Sequence, residues 1–184
     1  MASGATIYKA ALQIADMDRH YYQDHALTIA CHPSETDERV MVRLLAFVLY
    51  AHEALSFGRG LSTQDEPDLW QKDLTGAIER WIDVGQPEAR AVRRACRRAR
   101  QVVVVCYGGR GAQLWWSQNR GELETLANLT VINLAYEHTQ ALARLATRNM
   151  RLQCNVQDGQ VSVIAGDAVV QIEPVLLLQP APGR

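Results

Sequence analysis

Three carboxylates have the types and spacing for metal-assisted phosphodiester chemistry. Asp68 follows Pro67 at the mouth of a short apolar segment, Asp83 stands near the end of the next one, and Glu38 lies in the first turns of an upstream helical segment. A hard cation such as Mg²⁺ takes oxygen ligands, commonly one or two carboxylates completed by water and substrate phosphate. Bound there, it stabilises both the attacking and the departing oxygen of a displacement at phosphorus. The expected roles are Asp68 and Asp83 as Mg²⁺ ligands and Glu38 as the group that orients a ligand or water. Lys72, Arg90 or Arg94 would steady the phosphate. An arginine cannot give up its proton, so Arg90 or Arg94 would act by charge and not as a base. Glu53 competes for the role of Glu38, and Glu79, on the same strand face as Asp83, is a third candidate carboxylate.

A second constellation follows directly. Residues 87–100 read as a helix with an apolar stripe of Ala91, Val92, Ala95, Cys96 and Ala99, and arginines cover the rest. Glu88 is the single acid between Gln86 and Arg100, whereas a helix built for solubility more often mixes signs. Arg90, Arg93, Arg94 and Arg97 are therefore candidate contacts to a nucleic-acid backbone, where each contact releases counterions. Trp115 and Trp116 read as one core residue and one partly exposed residue.

These groups need a frame. Residues 5–14 and 25–31 form a hairpin across the turn-rich segment between them. A helix opens at Pro33-Ser34, with Ser34 as N-cap, and runs to about Leu55, where Gly58 and Gly60 end it. Residues 61–68 are turn-like. Trp70–Lys72 begins a strand, and 77–84 is a strand with Glu79, Trp81 and Asp83 on one face. Pro87 opens the arginine-rich helix. The run VVVVC at 102–106 is a buried, parallel, central strand. A short helix at 110–118, a strand at 129–134 and a helix at 135–148 follow. Residues 149–173 form a β-meander turning at Asp158-Gly159 and Gly166-Asp167. The final QPAPGR is a tail.

Bulk properties agree with a single domain over residues 1–184. The chain is 48% hydrophobic, enough to bury a core, and its formal net charge of -1 favours no class of partner. The four cysteines form no CxxC pair, which argues against a zinc site of ordinary spacing. The N-terminal segment lacks the pattern of a secretory leader, and no stretch reaches membrane-spanning length. The expected location is the cytoplasm.

The order helix, strand, strand, helix, strand, with Pro67-Asp68 and an acid on the next strand, resembles the PD-(D/E)XK nuclease core. That pattern expects a lysine two residues after the strand acid; here Gly85 follows Asp83 and Trp81 follows Glu79. A closer resemblance covers nearly the whole chain. The segments ATIYKA, HPSETDER, RLLAF, FGRGLS, DEPDLW, WIDVG-P, RRAC and QLWW, in that order, are similar to those of the YaeQ family. This resemblance implies a compact variant of the PD-(D/E)XK fold, a mixed central sheet with flanking helices plus the C-terminal meander, in bacterial proteins without a settled activity. Three functions stay open: a Mg²⁺-dependent nuclease-like phosphodiesterase, a non-catalytic nucleic-acid-binding protein, and a regulatory module that binds a protein partner.

Overall fold

The computed structural model describes residues 4–59 and 65–180. Two mixed sheets and four helices stack in alternating layers. The N-terminal hairpin pairs β1 (Thr6–Asp16) with β2 (Tyr21–Cys31) in antiparallel register from Thr6 opposite Cys31 to Asp16 opposite Tyr21. The meander strands β8 (Asn149–Gln157), β9 (Gln160–Ala165) and β10 (Ala168–Ile172) join it, because β8 lies parallel to β1. This gives a five-stranded sheet ordered β10-β9-β8-β1-β2.

The second sheet is ordered β11-β7-β6-β5-β4-β3. It contains β3 (Leu55–Phe57), β4 (Leu69–Lys72), β5 (Ile78–Val84), β6 (Ala99–Cys106), β7 (Leu129–Asn133) and β11 (Val175–Leu178). Strands β5, β6 and β7 are parallel, while β3, β4 and β11 add antiparallel edges. The expectation of one central sheet is corrected: the hairpin and meander make a sheet of their own. Residues 175–178, which lack a period of their own, become a strand by pairing with β7.

Helices α1 (Asp37–Leu49) and α4 (Tyr136–Ala143) lie between the sheets, and α2 (Ala89–Arg98) and α3 (Arg110–Leu123) cover the far side of the second sheet. Alternation along the parallel strands separates two cores. Ile82, Val84, Val103, Val105 and Ile132 face α1 and the inner surface of the first sheet. Trp81, Val102, Val104, Cys106 and Val131 face Val92 and Ala95 of α2 and Ala112, Trp115 and Leu123 of α3. Successive strand residues point to opposite faces, so β6, covered on both, reads as a continuous apolar run. Trp115 is buried and Trp116 partly so, as their spacing suggested.

The boundaries of α1 differ from expectation for identifiable reasons. Ser34 is engaged by the His32 ring at 2.7 Å, and Thr36, in extended conformation, caps the helix by accepting from the Arg39 amide at 3.2 Å. Asp37 and Glu38 then sit in the first turn, where carboxylates are favoured by the helix dipole. The helix stops at Leu49 and not at Leu55. Arg19, from the hairpin turn, donates to the carbonyls of Ala51 (3.0 Å) and Val48 (3.4 Å), and Leu55–Phe57 is drawn into the sheet against β4. Gly58 therefore follows a strand; Gly60 and the segment 61–64 lie outside the described residues. The arginine-rich helix begins at Ala89, two residues after Pro87. The helix expected at 110–118 extends to Leu123, and that expected at 135–148 ends at Ala143.

Among the described residues, no helix is long and apolar enough to cross a membrane. All four cysteines are free, and burial alone pushes the Cys154 thiol up to about 12.

Phe47 ties the layers together, its ring packed edge-on against His25 (5.0 Å) and stacked near Phe57 (5.9 Å). Phe47→Ala is expected to cost about 3–5 kcal/mol in a urea unfolding titration.

Candidate functional site

The carboxyl ends of β5 and β6 open onto a cleft of about 660 Å³. Crevices outside the carboxyl ends of parallel strands are common ligand sites in α/β sheets. Asp68 reaches this cleft from the start of β4 and Asp83 from the end of β5. The antiparallel register, with Leu69 opposite Ile82, sets the two acids beside each other. Gly85 and Gly108, both with positive φ (105° and 109°), carry the chain out of β5 and β6 along the cleft wall. Gln86 closes one side by donating to the Tyr107 carbonyl. Glu66, Glu88 and, from α2, Arg94 complete the rim.

Arg39 is the group that organises the acids. Its guanidinium donates to Asp68 Oδ1 at 2.6 Å and to Glu35 Oε1 at 2.9 Å. Asp68 Oδ2 accepts from the Val84 amide at 2.7 Å. The Glu35 side chain is fully buried, and its Oε1 also accepts from Arg43, itself 1% exposed, at 2.9 Å. Burial pulls the Arg39 pKa down, but Asp68 and Glu35 more than offset this and hold it above the ordinary value. Asp83 accepts from the Trp81 indole at 2.9 Å. Burial nevertheless pushes its carboxyl up to about 6, with the neighbouring Asp68 charge adding to the rise; the indole, the Asp68 amide and Arg39 oppose it.

Of the residues singled out from sequence, Asp68, Asp83 and Arg94 meet at the cleft. Glu38 does not line it; its carboxylate accepts from Thr139 Oγ1 at 2.7 Å and ties α1 to α4. Lys72 lies two alternations along β4 from Asp68, its ammonium 3.6 Å from the Trp70 ring centroid. Arg90, Arg93 and Arg97 are exposed on α2, and Arg93 pairs with Glu122 at 2.9 Å. Glu79 pairs with Arg100 at 3.4 Å. From sequence, Arg39 and Arg43, one turn apart, read as structural partners of Glu35 or of acids near the site; Arg39 is both, on Glu35 and on Asp68, and Arg43 pairs with Glu35. The one-turn spacing Glu35, Arg39, Arg43 was the available signal.

The donor set does not fit a divalent ion. Both Asp68 oxygens are engaged from within the protein, and the Arg39 cation sits against the Asp68 carboxylate. Among the described residues, no three His, Cys, Asp or Glu side chains converge on a point that could hold a metal. The expectation of Mg²⁺ on Asp68 and Asp83 has no complete ligand set here.

The family model for YaeQ protein matches residues 1–174. This chain belongs to the YaeQ family. It is 45% identical over 161 residues to the uncharacterized protein YaeQ of Salmonella typhi, covering 88% of this chain and 89% of that protein; the Escherichia coli K12 protein matches equally. The crystal structure of the YaeQ protein from Xanthomonas axonopodis pv. citri superposes with a TM-score of 0.92 at 50% identity, over 97% of this chain and 99% of that one. That from Pseudomonas syringae gives 0.91 at 34% identity, over 95% and 97%. The cleft of this YaeQ-family chain thus sits on a frame shared with solved bacterial relatives.

Two outcomes follow. Glu35→Ala strands Arg43 without its carboxylate and is expected to cost about 3–5 kcal/mol in chemical denaturation, part of it recovered when Arg43→Met is added. The raised Asp83 carboxyl stays protonated in the folded state while the unfolded chain ionises near 4. Its contribution to stability is therefore complete below about pH 4 and is lost as pH rises through about 6. Asp83→Asn is expected to flatten the stability profile in that window, read as urea midpoints from pH 4 to 7.

Proposed function

We propose that this YaeQ-family protein binds nucleic acid through its phosphate backbone, without metal-dependent cleavage. The observation that carries this reading is on α2. Arg90, Arg94 and Arg97 have no anionic partner among the described residues, although Arg93, Arg98 and Arg100 nearby each hold a protein acceptor. Arg94 belongs at once to this row and to the cleft rim. Asp68 and Asp83, by contrast, are engaged internally by Arg39, Val84 and Trp81.

The architecture supports a nuclease-like ancestry for this site. Helix α1, strands β4 and β5, helix α2 and strand β6 keep the helix, strand, strand, helix, strand order that resembles the PD-(D/E)XK core, with the short β3 inserted after α1 and the two acids on adjacent antiparallel strands. The position two residues beyond Asp83 is Gly85, and Lys72 lies away from the acids on Trp70. An acid pair with a partly buried arginine on one member, and no lysine beside it, suits a fold that holds a polyanion at its rim more than one that cuts it. One fold hosts many functions, so the assignment rests on the site and not on the fold.

Fluorescence anisotropy with a labelled oligonucleotide tests the reading. Binding is expected to weaken steeply with salt and to be indifferent to Mg²⁺, with no cleavage. Arg90→Glu, Arg94→Glu and Arg97→Glu together are expected to lower the slope of log affinity against log salt by about 2–3. Salt-independent binding, or cleavage that needs Mg²⁺ and is lost in Asp83→Ala, would overturn it.

A further inference from the structure

The α2 side of the second sheet does not end at the cleft. Asp68, Trp70 and Lys72 share one face of β4, in steps of about 7 Å. Trp70 stands opposite Trp81 on β5, and the two rings meet edge to face at 6.3 Å. Trp81 is buried, while Trp70 is partly exposed and Lys72 exposed. Arg98 lies one helical turn, about 6 Å, beyond Arg94. Its guanidinium is 5.1 Å from the Trp81 ring centroid and donates to the Asp65 backbone carbonyl at 3.1 Å. The Lys72 ammonium rests on the Trp70 ring.

Two aromatic rings thus each carry a cation on an open shelf. Neither cation is neutralised by a carboxylate among the described residues: Arg98 meets a neutral carbonyl and an indole, Lys72 an indole. Resting a cation on an aromatic face retains its charge, which stays available to a phosphate. Arg94 at the cleft, Arg98 and Lys72 therefore form a line of cations across β5 and β4, on the side of α2 that faces the strands.

We infer that this shelf is a track for a single strand of nucleic acid, with Arg94, Arg98 and Lys72 meeting successive phosphates and Trp70 offering its ring to a base. When the Lys72 ammonium moves from the ring to a phosphate, the face it leaves becomes available for stacking. Base-on-aromatic stacking tolerates any sequence but requires an unpaired base, which duplex DNA does not present. This deepens the nucleic-acid reading above and rests on it. It also moves the path of the strand from the outer arginines of α2 to the groove between α2 and β4.

The test uses the full chain with a labelled oligodeoxythymidine of about 20 nucleotides and a duplex of equal length. Lys72→Glu with Arg98→Glu is expected to weaken single-strand binding at least tenfold and to lower the salt slope by about 2. A charge-matched control, Arg144→Glu with Arg151→Glu, at the end of α4 and on β8, is expected to bind as wild type. Oligothymidine is expected to quench tryptophan emission in wild type but much less in Trp70→Leu, or in Trp70→Phe should the leucine variant fold poorly by circular dichroism. Loss of single-strand affinity in these variants should exceed loss of duplex affinity. Unchanged affinity and slope in the Lys72/Arg98 variant would overturn the track, and so would quenching that does not depend on Trp70. If those results accompany loss of binding in the Arg90/Arg94/Arg97 variant, the nucleic-acid reading stands without the track. If wild type shows no salt-sensitive binding, both fall.

Discussion

The buried carboxylate of Glu35 is the point on which the two halves of this molecule depend. It lies just before α1, between the sheets, and a bare charge there would be untenable in a low-dielectric interior. Two arginines one turn apart on α1 neutralise it. Arg43 continues to the Ala30 carbonyl at the end of β2, and Arg39 continues to Asp68 at the start of β4. Asp68 in turn accepts from the backbone of β5. One chain of hydrogen bonds therefore runs from the hairpin sheet, through α1, to the cleft of the second sheet. Such a network stabilises only when every member is satisfied. The Arg43 Nε, left without a partner, lies against the Phe57 ring, whose centroid is 5.3 Å from the guanidinium carbon.

The same network defines the chemistry of the cleft. Two carboxylates held side by side on neighbouring strands repel each other, and something must supply the compensating charge. In a metalloenzyme that is the ion. Here it is Arg39, delivered by the helix that also carries Glu35, with Asp83 relieved further by holding its proton more tightly. The Asp68 charge is thus met from inside, while unpaired cations lie on α2, with Arg94 at the cleft rim, and on the tryptophan shelf.

Much of the frame was legible in the chain itself. The unbroken VVVVC announced a strand covered on both faces, and the Asp158-Gly159 and Gly166-Asp167 pairs marked the meander turns, because these signals are local. The pairing of Asp68 with Asp83 was legible too, since a strand after Pro67 and another ending near Asp83 set them at adjoining ends. Helix limits were less so. The α1 terminus is decided by Arg19, distant in sequence, and by the pull of β4 on Leu55–Phe57, neither of which is written in the helix. Glu38 has the right position along the chain for a site acid, yet the rotation of α1 turns it to Thr139.

The sequence by itself determined the family, the alternation of helices and strands, and the clustering of arginines on one helix, because these depend on residue type and short-range spacing. Only the tertiary structure decided that the sheets are two, and that Arg39 joins Asp68 at the cleft. Only it placed Lys72 and Arg98 on paired tryptophans along one groove. The reason is that neutralisation and exposure belong to pairs of residues far apart in the chain. Arg39 and Asp68 are 29 positions apart, and no local pattern reports which acid a given arginine will meet.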